Sequence, residues 1–206
     1  QLKLKKSIAL ISDAGTPLIS DPGETLVQKT RESNFEVISI PGPCAAISAL
    51  VSSGLPTSKF TFYGFIPRIK KERDIILNSI ETSQFTSIVY ESPKKLKKLL
   101  EDLKQVCGGN RRIKALKEIS KLHEKNYGDN IDDLILHFSK IEPKGEFTLI
   151  IEGNNKVKEK KITNIKDELI NLTDAGLSHS AASIYLSKKL SIPKNEIYKL
   201  LINKNQ

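Results

Sequence analysis

Three short stretches concentrate the residue types that bind and activate small molecules. Asp13 to Pro22 packs two aspartates, a glycine, a threonine, a serine and two prolines into ten residues. Such a loop suits close approach of backbone to a ligand. Asp13 and Asp21 are suited to accept hydrogen bonds from a ligand amine or ribose, or to oppose a cationic centre such as a sulfonium. The plainer alternative is that Asp13 closes a turn and Asp21 caps the helix entered at Gly23. Pro41 to Ala45 (PGPCA) and Glu91-Ser92-Pro93 are the other two stretches.

Several common chemistries lack support. There is no G-x-G-x-x-G after the first apolar run and no G-x-x-x-x-G-K-[ST], so dinucleotide and P-loop readings fail. His123, His137 and His179 share no ligand spacing, and Cys44 and Cys107 fit neither a metal nor a redox motif. No metal is expected. His137 reads as a partly exposed structural histidine in mid-helix; His123 sits beside Lys121 and Glu124.

The elements that must position these loops alternate. Ser7 to Ser12 (SIALIS) reads as a buried strand, Glu24 to Asn34 as a helix, Phe35 to Ile40 (FEVISI) as the next strand, and Cys44 to Ser53 as a small-residue helix. This is the rhythm of an α/β sheet, whose ligands bind at the carboxyl ends of strands. A second set follows: a strand over Phe60 to Phe65, a helix over Lys71 to Thr82, and a strand over Phe85 to Glu91. Ser92 and Pro93 then open a helix carrying Leu96, Leu99, Leu100 and Leu103 on one face. A strand over Arg112 to Ile119, a helix over Ile131 to Ile141 and a strand over Phe147 to Glu152 complete it.

Beyond Gly153 the character changes. Asn154 to Lys161 reads as a polar linker, followed by helices near Lys166 to Ala175, Ser178 to Leu190 and Lys194 to Asn203. Residues 155–206 hold 10 Lys and 5 Asp or Glu, so they carry +5 of the net charge of +9. That excess favours a polyanionic partner over a neutral one. The 206 residues, 38% hydrophobic and 28% charged, have the composition of a globular protein. No apolar run approaches the ~18 residues of a membrane span. A reduced, cytoplasmic setting is the expectation.

Six ordered blocks carry a family resemblance: ALISDAGTPLISDPG (Ala9 to Gly23), IPGPCAAISAL (Ile40 to Leu50), YGFIPR (Tyr63 to Arg68), VYESPKKL (Val89 to Leu96), KEISKLHE (Lys117 to Glu124) and KGEFTLIIEG (Lys144 to Gly153). Together they resemble the ribosomal RNA small subunit methyltransferase I family of the tetrapyrrole methylase superfamily. The resemblance implies two α/β domains, at 1–64 and 65–153, to which the residue pattern adds a small helical, helix-turn-helix-like domain at 154–206. It implies S-adenosylmethionine as cofactor, methylation of the ribose 2′-hydroxyl of a cytidine in 16S rRNA within the small ribosomal subunit, and a homodimer. The cofactor contacts it implies are Asp13, Ala14, Gly15, Cys44, Ala45, Tyr90, Glu91, Glu146, Phe147 and Thr148. A ribose hydroxyl is a poor acid, so a base or a nearby cation is expected to help. Asp21 and Glu91 are the candidate bases and Lys121 the candidate electrostatic stabiliser or phosphate contact, against the alternatives of a cap, a loop hydrogen bond and a surface charge.

Two departures stand out. An arginine of the family pattern is Lys117 here, a point charge in place of a planar fork. Family members also begin with a further α/β stretch ahead of the first block; with no methionine in the chain, the expectation is a first domain lacking its N-terminal segment. Ser178 to Asn203 resembles a helix-turn-helix about Leu190 to Pro193, suited to phosphate contacts on rRNA or to a merely solubilising cap. The rival readings are a methylase of tetrapyrroles or other small molecules, and a DNA-binding regulator that senses a ligand.

Overall fold

The computed structural model describes residues 1–190 and 192–202 and forms two compact units, 1–153 and 154–206. Ser191 in the expected turn and Asn203 at the end of the last expected helix lie outside the described residues.

The first unit is built on a five-stranded sheet of β1 (Phe60–Phe65), β2 (Thr86–Glu91), β3 (Ile113–Lys117), β4 (Lys125–Tyr127) and β5 (Phe147–Ile151), in the order β1-β2-β5-β3-β4. Only β1 and β2 are parallel; β2-β5, β5-β3 and β3-β4 are antiparallel. The sheet is therefore mixed. β1 crosses the expected boundary between residues 64 and 65. β4 escaped the sequence reading, because three polar-flanked residues carry no periodicity.

Burial on both faces explains the unbroken apolar runs of the central strands. On one face Val89, Ile113, Ala115, Phe147, Leu149 and Ile151 pack against α3 (Lys70–Thr82), α4 (Pro93–Cys107) and α5 (Ile131–Lys140). On the other, Ile88, Leu116 and Ile150 meet α2 (Ala45–Ser52) through Ala46, Ala49 and Leu50. Leu96, Leu99, Leu100 and Leu103 of α4 are all fully buried, as their spacing predicts. Arg73 holds α3 to α4 through Asp102, with Nε to Oδ2 at 2.7 Å. Asn130 caps α5 by accepting from the Asp133 N–H at 2.9 Å.

Two expected strands do not form. Ser7 to Ser12 and Phe35 to Ile40 have no ladder, and no residue before Ala46 is buried. A strand needs lateral partners for its N–H and C=O groups and a cover for its apolar side chains. Among the described residues nothing supplies either, so only α1 (Glu24–Glu32) is regular between them.

The second unit contains α6 (Asn155–Asp174), α7 (His179–Leu190) and α8 (Lys194–Ile202). Ile165, Leu169, Ala182, Leu186 and Ile197 form its core. The expected linker at 154–161 is largely the first part of α6: its lysines and glutamate are good helix formers, and polarity alone does not break a helix. Lys189 bridges to Glu168 at 2.5 Å, and Lys194 donates to Ser180 Oγ at 2.9 Å. Among the described residues no helix is long and apolar enough to cross a membrane.

Candidate functional site

Strand register assembles the site. Tyr90, Thr148 and Leu116 lie side by side across β2, β5 and β3, and Glu91, Phe147 and Lys117 form the next row. These rows put the end of β2, the start of β5 and the end of β3 at one edge of the sheet. The loops at 13–22 and 43–45 approach the same edge. They are tied together by Thr16, whose Oγ1 donates to the Pro43 carbonyl at 2.9 Å.

A cavity of about 650 Å³ lies among these loops. Its size falls within the range of small-molecule sites, about 300–1,000 Å³. The structure brings all the sequence-predicted residues to its wall: Asp13, Ala14, Gly15, Asp21, Cys44, Ala45, Tyr90, Glu91, Lys121, Glu146, Phe147 and Thr148. Glu118, Ser20 and Phe65 line it too; they fall within the stretches singled out in the sequence, but no individual role was expected of them. Ser20, Glu118 and Ser120 all adopt positive φ, at 60°, 52° and 61°. Strain of this kind persists only where surrounding structure holds it.

Glu91 is the central polar group. It is 2% exposed, and its Oε1 accepts from the N–H of Ser92 at 2.8 Å and from Ser92 Oγ at 3.3 Å. Its Oε2 is buried with no hydrogen-bond partner among the described residues. A buried carboxylate oxygen left bare is costly, and this one borders a cavity able to supply a donor. Ser92 is the N-cap of α4 but makes no side-chain cap bond; its hydroxyl serves Glu91 instead.

Tyr90 closes the cavity toward α2. Its hydroxyl accepts from the Ala46 N–H at 3.0 Å, and its ring packs edge-on against Phe62 with centroids 5.0 Å apart. Burial pushes its phenol above the ordinary value, despite that hydrogen bond. Asp21 is half-buried in the wall; helix α1 takes Gly23 as N-cap without any side-chain bond, so Asp21 is not a cap.

Lys121 is paired twice, with Glu146 Oε2 at 2.9 Å and Glu118 Oε1 at 3.2 Å. Glu118 Oε1 also accepts from the Glu146 N–H at 2.8 Å, and the Glu118 N–H donates to the Glu146 carbonyl at 2.9 Å. The bond donated by the Glu146 N–H, then Lys121, holds the Glu118 carboxyl below the usual carboxylate range. The hydrogen bond to Glu146 raises Lys121 in turn. Lys121 therefore locks the 118–121 loop to the start of β5. Gly145 makes the lock possible: its φ is +82°, and an added Cβ would fall 2.7 Å from the Glu118 side chain. Among the described residues no cluster of His, Cys, Asp and Glu could hold a metal.

A mixed sheet covered by helices, with a cavity at its loop-bearing edge, defines an α/β protein, and residues 1–135 match the family model described as Tetrapyrrole (Corrin/Porphyrin) Methylases. The methyltransferase CobJ shares the fold, with a TM-score of 0.53 at 15% identity over 68% of this chain and 62% of that one. Sequence relatives are nearer. The chain is 40% identical to the ribosomal RNA small subunit methyltransferase I of Synechocystis sp., over 97% of its own length and 72% of the relative's. It is 38% identical to that of Escherichia coli O157:H7, over 97% and 70%. The chain belongs to the ribosomal RNA small subunit methyltransferase I family, within the tetrapyrrole methylases.

Proposed function

We propose that the chain is an S-adenosylmethionine-dependent methyltransferase of small-subunit ribosomal RNA, acting on the ribose 2′-hydroxyl of a cytidine. Family membership supports the methyl transfer and the rRNA substrate. The observation that carries the chemistry is the bare, buried Oε2 of Glu91 on the wall of a cofactor-sized cavity.

The lining suits the cofactor. Backbone of the Asp13-Ala14-Gly15 loop and of Cys44-Ala45 would hold its polar groups, with Tyr90 and Glu146 to Thr148 on the opposite wall. Bound there, it supplies a methyl group on a sulfonium, already a good leaving group, so alignment does most of the work. A ribose hydroxyl is a poor acid. Glu91 Oε2 takes its proton as the oxygen attacks, and Asp21 is the second choice for that role. Lys121, neutralised by Glu118 and Glu146, positions the wall and is not a free phosphate contact.

The test is incubation of tritiated S-adenosylmethionine with under-methylated small subunits, followed by mapping of ribose methylation. Label is expected at one cytidine. Glu91→Gln lowers the rate at least a hundredfold while calorimetric cofactor affinity stays within a few-fold. Label in a tetrapyrrole and none in RNA would sink the rRNA reading.

A further inference from the structure

A second cavity, of about 560 Å³, opens at the β4 edge of the sheet. Its walls are the β3-β4 hairpin, the C-terminal end of α5 and the loop at 141–144, and it shares only Phe147 with the first cavity. Four lysines converge on it from four segments: Lys117 of β3, Lys125 of β4, Lys140 of α5 and Lys144 of the loop. Among the described residues none of the four is in an ion pair. The one carboxylate in the wall, Glu142, is already held by Lys97.

Local structure does not account for this charge. Lys117 and Lys125 stand directly opposite each other in the antiparallel ladder, a placement that destabilises the pair. A single cation at the last turn of α5 satisfies its dipole, and Lys140 fills that role; the other three belong to strands and a loop. An anion resolves the conflict. Beside the lysines lies an aromatic platform. Tyr127 and His137 lie against each other with ring centroids 4.7 Å apart and planes tilted by 38°, both half-buried, and Phe138 braces them from the core. Lysines beside an aromatic surface fit an unpaired nucleotide, with phosphates on the ammonium groups and the base against the rings.

We propose that this pocket binds a nucleotide of the substrate RNA strand other than the one methylated, holding the strand as its neighbour enters the first cavity across Phe147. The proposal rests on RNA being the substrate. It is specific in chemistry: an acidic protein segment would use the lysines but leave the aromatic platform idle.

The test is fluorescence anisotropy of a short fluorescein-labelled single-stranded RNA across a salt series, with the full chain. Lys125→Ala/Lys144→Ala alters two exposed side chains. It is expected to weaken binding at least tenfold and flatten the log-log salt slope by about 1.4, at about 0.7 per lost phosphate contact on a single strand. His137→Ala weakens binding at least fivefold through lost stacking. Lys70→Ala/Lys71→Ala removes the same charge from the exposed start of α3 and changes affinity less than threefold. Equal losses in the two lysine pairs, no loss in the first, no RNA binding by the unmodified chain, or competition by polyglutamate as strong as by RNA would each overturn the proposal. Methyl transfer is read separately. RNA binding that depends on Lys125 and Lys144 without any methylation refutes the proposed reaction and spares the pocket; methylation with unchanged KM and RNA affinity in the variant does the reverse.

Discussion

Phe35 to Ile40 (FEVISI) and Phe147 to Ile151 (FTLII) are nearly the same kind of sequence, yet one is an exposed coil and the other the most buried strand in the molecule. Ile38 and Ile40 are 71% and 79% exposed, whereas all five residues of β5 are buried. β5 lies between β2 and β3, and both its ladders are complete. The first segment has no such neighbours. A β-branched run states a preference for a pleated, covered surface; the surface itself must come from elsewhere in the chain. The contrast also divides labour. The sheet is the fully laddered wall of the cavity, carrying Tyr90, Glu91 and Thr148, while the segment before Ala46 contributes loops tied to one another by bonds such as Thr16 to Pro43.

That division can be broken from the sheet side first. Leu100→Ala deletes a fully buried side chain from the α4 layer and lowers unfolding free energy by about 2–5 kcal/mol in a denaturant titration. Next in size, Gly145→Ala forces a left-handed residue against Glu118 and costs about 1–2 kcal/mol, with weakened cofactor affinity by calorimetry as the Lys121 lock shifts. Smaller is the effect of acid. Glu118 has a lowered pKa in the fold, so its contribution is whole above the ordinary carboxylate range, near 4.3, and disappears as pH falls through its lower folded value. The Glu146 amide resonance should shift in that acidic window, and Glu118→Gln should remove the shift. Smallest is Ile38→Ala, expected within about 0.5 kcal/mol of the parent. A loss of 2 kcal/mol there would show that the exposed segment is packed in solution and would collapse the comparison.

The residues of the candidate site share one cavity, whereas part of the expected fold around them does not form. Asp13 to Gly15, Cys44, Glu91 and Glu146 to Thr148 were marked by turn chemistry and by resemblance, and they meet in one cavity. Glu118 has no local signature because its importance lies in long-range bonds, its carboxylate and its N–H both meeting the backbone of Glu146 twenty-eight residues on. The basic pocket was invisible for the same reason. Lys125, Lys140 and Lys144 are unremarkable in a chain with 33 lysines and arginines, and Lys117 stands out only as a lysine in place of the family's arginine, until register and the end of α5 bring the four together.

By itself the sequence determined the helix positions within a few residues, except the start of α6, together with the buried leucine face of α4, the central strands of the sheet and the family. Those are properties of local propensity and periodicity, and of blocks read in order. Only the tertiary structure decided that two of the apolar runs remain unpaired, that Glu91 keeps one carboxylate oxygen bare, and that Lys121 is spent on two glutamates. Pairing, burial and charge compensation are relations between distant residues, and no local pattern encodes which partners arrive.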